Sequence, residues 1–330
     1  LDVVSRAYVI SLPQRADRRE DMEHLRNILH LRWTYLDAAD AASPANVHID
    51  GTSPLALPTF HWPDDIDRLV HSQEAMLPLG ADVWPLPYTR AESDGSVSAE
   101  TADPFWFAPL RAKASFPHPL PPLACASGDQ LLAPFSQDLP PYKRLTPAKV
   151  ACWHSHLQAI RQIANGGDSA ALVLEDDVDM ERDISARLRA LWDALPDSWD
   201  IVYLGHCWSN ESALPALRVI SSHALAPLDS DTSTSIPARN LTALHPSVSP
   251  KCTHAYALSR AGARRVLAHL RHPPFAYSRA IDQALAWLVQ SGRLQAFSVV
   301  PPLVVQRKVA GSDVMPGRGS AWREGLFDGV

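Results

Sequence analysis

Apolar and polar positions along this chain follow two periods, and the changes between them outline its elements. Ala7-Tyr8-Val9-Ile10-Ser11-Leu12 is a short, nearly continuous apolar run closed by Pro13, the pattern of a buried strand. A charged segment from Ala16 to His30 follows, in which Met22, Leu25, Ile28 and Leu29 recur at helical spacing, and Trp33 to Leu36 again predicts a strand. Strand, helix and strand in that order open an α/β domain. Such a connection puts the loop after the first strand, residues 11–19, at the ligand-binding edge of the sheet.

The periodicity then lapses. Between residues 39 and 142 Pro, Ser, Ala and Asp dominate, with short apolar patches around Trp84, Phe105 and Leu131, and prolines such as Pro117, Pro119, Pro121 and Pro122 favour extended backbone. This stretch reads as a long Pro-rich insertion. Regular structure resumes at Thr146-Pro147, an N-cap and first-turn pair, with a helix ending at Asn165-Gly166-Gly167. Its apolar stripe is Val150, Trp153, Leu157, Ile160 and Ala164, with Cys152 and His156 together on one flank. The strand 170–174 leads into Glu175-Asp176-Asp177. A helix over 185–195 and a strand over 200–204, ending at Gly205-His206, come next. The pattern then predicts a strand over 253–258, helices over 260–270 and 279–290, a strand over 297–300 and an apolar run at Leu303-Val304-Val305. The expected fold is α/β, a single domain over residues 1–330, with a mostly parallel sheet covered by helices on both faces.

Composition narrows the function. With 46% hydrophobic and 20% charged residues in 330, the chain buries an ordinary globular core. A formal net charge of −6 argues against a nucleic-acid partner, which needs a concentrated basic stripe. No apolar run approaches the roughly 20 residues that span a bilayer, and LDVVSRAYVI lacks the basic start and apolar stretch of a signal peptide. The expectation is a chain without a membrane span, whose anchor or signal, if it has one, lies upstream. Cys125, Cys152, Cys207 and Cys252 show no metal-binding spacing and leave one or two disulfides open. The sequons Asn210-Glu211-Ser212 and Asn240-Leu241-Thr242 fit a secretory route, in the Golgi lumen or beyond the cell.

The sharpest chemical signal is LVLEDDVD, residues 172–179, where an apolar strand ends in four carboxylates interrupted only by Val178. Like charges so close raise one another's pKa, and a hard divalent cation, Mn²⁺ or Mg²⁺, relieves them. In extended backbone Glu175 and Asp177 share a side and Asp176 faces away, so the first two suit one metal ion. The plainer alternative is a solvated acidic turn. The position at the C-terminal edge of an α/β sheet favours the functional one.

Several segments, in order, resemble glycosyltransferase family 25, which includes bacterial lipopolysaccharide galactosyltransferases and procollagen galactosyltransferases. They are YVISLPQRADRRE, ACWHSHLQAI, LVLEDDVD, DIVYLGH, THAYALSRAGARRVL, IDQALAWL, and PPLVVQ followed by Ser312-Asp313. The resemblance implies a GT-A-type, Rossmann-like fold and inverting transfer of a hexose, commonly galactose, from a UDP-sugar to a glycan or glycosylated-protein acceptor. It also implies roles. Asp177 matches the metal-binding Asp, with Glu175 at the first position of the DxD-like triplet; Ser11, Arg15 and Arg18 match the donor-binding segment after the first strand; His156 is a site-lining candidate. An inverting displacement needs a base for the acceptor hydroxyl. Asp282 matches an acidic family position and Asp176 is held in reserve. Many GT-A enzymes add a C-terminal histidine to the metal, whereas the last one here is His272, which leaves Gln306, Asp313 or water for that place. Each role has a bland rival: an arginine-rich helix start paired with Glu20 and Asp21, a hydrogen-bonded core histidine, an ordinary helix-start carboxylate at Asp282. For the whole protein the rivals are a catalytically silent carbohydrate-binding or adhesion module and a metal-dependent nucleotidyltransferase.

Overall fold

Strands of this chain are apolar on both faces because both faces are covered. In the computed structural model, which describes residues 3–41, 147–221, 241–271, 279–290, 292–307 and 325–330, eight of them form one sheet. These are β1 (Arg6–Ser11), β2 (Thr34–Asp37), β3 (Ala170–Glu175), β5 (Ile201–Cys207), β6 (Arg218–Ser221), β7 (Leu241–Pro246), β8 (Lys251–Ser259) and β9 (Ala296–Val300). A separate antiparallel pair joins β4 (Val178–Met180) to β10 (Val304–Gln306). The helices are α1 (Ala16–Leu29), α2 (Pro147–Asn165), α3 (Ile184–Trp192), α4 (Arg260–Arg271) and α5 (Ile281–Gln290).

Period-two alternation sorts the core into two layers. Tyr8, Ile10, Ala171, Val173, Ile201, Tyr203, Tyr256 and Leu258 pack with Trp153, Ile160 and Leu267 on the side of α2, α4 and α5. The residues between them, Val9, Leu172, Leu174, Val202, Ala255 and Ala257, pack with Met22, Leu25, Leu188 and Leu191 of α1 and α3. The expected stripe of α2 holds at Trp153, Leu157, Ile160 and Ala164, all buried.

The strand order is β2-β1-β3-β8-β5-β9-β7-β6. β1 runs parallel to β2 and β3, and β5 to β9, whereas β8 is antiparallel to β3 and β5, and β7 to β6 and β9. Following these pairings across the sheet, six of the eight strands share a direction and β8 and β7 oppose it. The sheet is therefore mixed α/β with a majority direction. Reversal of β8 matters for the site, because it brings the start of that strand to the edge where β1, β3 and β5 end. The insertion of 39–142 lies outside the described residues apart from 39–41.

Three short strands escape the sequence pattern. β6 and β7 interleave polar residues with apolar ones, and β4 is hidden inside the carboxylate run. β4 splits that run. Asp179 turns from the other carboxylates, is buried, and accepts hydrogen bonds from the Met180 amide at 2.8 Å and the Val330 amide at 3.2 Å. Glu181 likewise accepts from the amides of Phe327, at 2.6 Å, and Asp328, at 2.8 Å. Two of the acids after β3 thus anchor the last residues of the chain.

Gly205 marks where β5 and β10 cross. His254 Nε2–H donates to the Val304 carbonyl at 3.1 Å, and a Cβ on residue 205 would overlap both groups. Gly205→Ala is expected to lower the denaturant midpoint by the equivalent of about 1–3 kcal/mol, the usual cost of overpacking. Combined with His254→Ala it should cost less than the sum of the two single changes, because the shared overlap is relieved.

Candidate active site

The acidic turn sits where strand ends converge. β3 finishes at Glu175, the chain bends through Asp176 and Asp177, and β4 carries it away under the pairing of Val178 with Gln306. That pairing brings β10 to the turn: the Arg307 amide donates to the Asp177 carbonyl, and Gln306 Nε2 lies 3.2 Å from both Asp177 carboxylate oxygens and 3.4 Å from Glu175 Oε2. Glu175 and Asp177 therefore share one amide between them. Asp176 turns the other way, to Arg18 Nη1 at 2.8 Å, and the same nitrogen lies 3.6 Å from Asp177 Oδ2.

Two further elements hold Glu175. The Thr253 hydroxyl, from β8, donates to Glu175 Oε1 at 2.8 Å. His156, from α2, places Nε2 3.3 Å from that oxygen and Nδ1 3.0 Å from the Tyr256 hydroxyl. His156 is thus a buried, fully engaged histidine that orients a carboxylate, which joins the two alternatives open in the sequence. Burial alone would raise the Glu175 pKa; the His156 hydrogen bond and charge, the field of His254 and the Thr253 hydroxyl outweigh it and hold the group below the usual range. Asp177 goes the opposite way, pushed up to about 7 by burial first and then by the Glu175 charge, against the pull of Arg18.

Beside this cluster lies a cleft of about 340 Å³ between the loop after β1, the end of β2 and the first half of α2. Ser11, Arg15, Arg18, His156, Glu175 and Asp176 line it. The Ser155 hydroxyl, accepting from the Ala39 amide at 2.9 Å, ties the β2 end to α2 behind it. Arg15 is clamped by Asp17 at 2.9 and 2.8 Å, and Arg19 by Ser11 and Asp37. Arg18, its side chain only 15% exposed, is not part of a solvated helix start. Its compensating anions are the protein's own Asp176 and Asp177.

Asp282 stands apart from the cleft wall. It caps the start of α5, where Oδ1 accepts from the Gln283 amide at 2.8 Å and Oδ2 lies 3.5 Å from the Cys252 amide. Cys152 feels its charge as well as those of Glu175 and Asp177, and burial together with these carboxylates raises the thiol well above its ordinary value. A thiol so suppressed, with His156 committed elsewhere, makes no Cys-His nucleophile.

Cys207, at the end of β5, and Cys252, at the start of β8, form a disulfide with a Cα separation of 5.6 Å. Cys152 has a free thiol, and Cys125, like Asn240, His272 and Asp313, lies outside the described residues. Among the described residues, the three-ligand cluster of Cys, His and acid atoms is Cys207, Cys252 and His254, whose two sulfurs are spent in that disulfide. At the acidic turn the oxygen donors are two carboxylates. The Gln306 amide presents its oxygen once flipped, since nitrogen and oxygen are interchangeable by rotation. That hard-oxygen set fits Mg²⁺ or Mn²⁺, which take the rest of their shell from water or a diphosphate.

Sequence reasoning missed Thr253 and His254. Their signal was present, two polar residues opening an otherwise apolar strand, THAYALS. It pointed to no partner, because nothing local says which strand lies alongside.

Asp177, whose folded pKa is raised above the ordinary 3.8, contributes stability that is complete below that value and lost as pH rises through about 7. In chelator, the difference in thermal midpoint between the wild type and Asp177→Asn is therefore expected to move against the wild type as pH climbs from 4 to 8. A difference independent of pH over that range refutes the raised pKa.

Residues 128–284 match the profile of glycosyltransferase family 25 (LPS biosynthesis protein). A search of curated proteins finds no match. The matched segment contains His156, Glu175, Asp176, Asp177 and Asp282, and leaves Ser11, Arg15, Arg18 and Gln306 outside it. The match over those residues supports a glycosyltransferase.

Proposed function

We propose that this protein is an inverting, metal-dependent glycosyltransferase that moves a hexose, galactose by the family resemblance, from a UDP-sugar to a glycan or glycosylated-protein acceptor. The observation that carries the proposal is the sharing of one amide by Glu175 and Asp177 at the edge of an arginine-lined cleft. A GT-A-type architecture accords with the mixed sheet and the place of the cleft at its strand ends.

Asp177 and Glu175 would hold Mn²⁺ or Mg²⁺, with Gln306 as a further oxygen donor. A divalent ion so held supplies Lewis-acid stabilisation for the charge that grows on a leaving diphosphate. His156 and Thr253 keep Glu175 ionised and aimed. Arg18 steadies the turn through Asp176, and Arg15, on the cleft wall, offers a guanidinium to donor phosphate. Ser11 sets the floor beneath it, buried and bound to Arg19.

Between the two candidate bases, geometry favours Asp282. Asp176 has its Oδ1 committed to Arg18 and a side chain only 7% exposed, so an acceptor hydroxyl cannot reach it readily. Asp282 accepts only amide hydrogens from its own helix start and Cys252 among the bonds described, which leaves lone pairs for a hydroxyl proton. The Cys207–Cys252 disulfide and the exposed Asn210 of the first sequon support a secretory, oxidising compartment.

Incubation with a set of UDP-sugars and Mn²⁺ tests the proposal. UDP release should need the metal, vanish with chelator and fall by about two orders of magnitude or more in Asp177→Ala. Asp282→Asn should lower kcat for transfer by about 10²–10⁴-fold while leaving UDP and Mn²⁺ binding intact. Pyrophosphate as product identifies a nucleotidyltransferase instead, and glycan binding without UDP release identifies a silent carbohydrate-binding module. Metal binding should also displace a proton from Asp177, so that Mn²⁺ affinity rises with pH up to about 7 and levels off above it. Calorimetry in buffers of different ionisation enthalpy measures that proton directly.

A further inference from the structure

Trp208 is the most exposed of the large apolar side chains described, at 69% of its surface, yet the backbone that carries it is tightly fixed. It follows Cys207, which the disulfide bonds to Cys252. One residue later the Ser209 hydroxyl accepts from the Ser249 amide at 3.0 Å, and the buried Glu211 carboxylate accepts from the Val248 amide. The disulfide thus ties the end of β5 to the start of β8, and the two hydrogen bonds tie the segment after β5 to the loop before β8. Trp208 itself adopts a left-handed backbone, φ 47°, and so does Cys252 across the strand pair, φ 66°. Non-glycine residues adopt that conformation at an energetic cost, which persists where the surroundings impose it, and such sites cluster where a ligand is handled. An indole held out to solvent on a strained, cross-braced turn is a preorganised flat surface, unlike one on a loose loop.

Its place along the sheet says what it meets. In the order β2-β1-β3-β8-β5, the cleft lies against the first three strands and Trp208 ends the fifth. Between them β8 begins, with Cys252 facing Asp282 and Lys251 directly opposite Cys207. Donor cleft, candidate base and exposed indole therefore follow one another along one edge. On the reading of this protein as a glycosyltransferase, we propose that Trp208 is the stacking platform of the acceptor subsite, binding the apolar C–H face of a pyranose ring so that its hydroxyl is presented to Asp282. An aromatic face suits such a ring because one side of a hexose is lined with C–H groups, and a rigid indole loses little entropy on contact. The Lys251 ammonium, which donates to Ser249 Oγ at 3.0 Å, supplies a hydrogen-bond donor at the rim.

The test uses the full chain and a panel of methyl hexopyranosides and their disaccharides, followed by saturation-transfer NMR and by the indole N–H resonance of Trp208. Binding should be seen with at least one pyranoside, weaken about tenfold in Trp208→Ala, and survive largely in Trp208→Phe, with Mn²⁺ and UDP binding and the thermal midpoint unchanged in both. In the transfer assay the same pair should raise and restore the acceptor KM, while acceptor-free hydrolysis of the UDP-sugar stays constant. Sugar binding or acceptor KM unaltered by Trp208→Ala overturns the proposal. So does a wild type that binds no pyranoside, or a change of oligomeric state on substitution, which marks a protein interface instead. If sugar binding depends on Trp208 but no UDP is released by the wild type, the platform stands and the transferase reading falls.

Discussion

Two carboxylates within reach of a single amide nitrogen cannot both carry full charge in a largely buried turn unless positive charge is brought to them. Glu175 and Asp177 are in that position, and much of the surrounding structure answers it. His156 and Thr253 are turned toward Glu175, Arg18 toward Asp177 and Asp176, and Gln306 toward both acids. Each of these comes from a different element: α2, β8, α1 and β10. Removing the compensation would leave buried charge, so the acidic turn specifies how four elements meet as much as it specifies chemistry.

Two features of topology make that convergence geometrically available. The reversed strand β8 delivers its first residues, rather than its last, to the edge where β3 ends. The short β4–β10 pair then hangs over this edge, its position set by the contact of His254 with the Val304 carbonyl through the space that Gly205 leaves open. Strand β4 also explains why the acids between Glu175 and Glu181 do not act as one cluster. Asp179 and Glu181 cap amides of the chain's last residues, which removes them from the cation problem and fixes the far end of the turn.

Legibility from sequence followed locality. Long elements were visible to within a few residues, since burial on both faces or on one helical stripe writes itself into the local pattern, as at β3 and α2. The acids themselves were visible, but the expected reason for their pairing fails: the chain turns at Asp176 and Asp177 instead of staying extended, and Glu175 and Asp177 meet at the Gln306 amide. What the pattern could not carry was partnership across distance. The direction of β8, the pairing of Cys207 with Cys252, and the arrival of Gln306 at Asp177 all depend on which strands lie side by side. Arg18 is instructive: cationic charge at a helix start asks for an anion nearby, and the sequence offered Glu20 and Asp21, but the turn of the chain after β3 supplied Asp176 instead.

That substitution of partners bears on how the site is divided. With its Oδ1 bound to Arg18 and its side chain 7% exposed, Asp176 is the less open of the two candidate bases, and in the proposed reaction proton removal would fall to the next carboxylate along the edge. Asp282 occupies that place on a separate helix, beyond Cys152 and beside the braced start of β8. Separation of this kind suits a displacement in which the leaving group and the attacking hydroxyl lie on opposite sides of the sugar. In the proposed reaction one set of residues would neutralise charge on the departing side and another would accept a proton on the entering side, and if both sat in one cluster each would disturb the other's pKa. By interposing β8 between β3 and β5, the strand order keeps the acidic turn and Asp282 apart along a single edge, as the proposed division of labour requires.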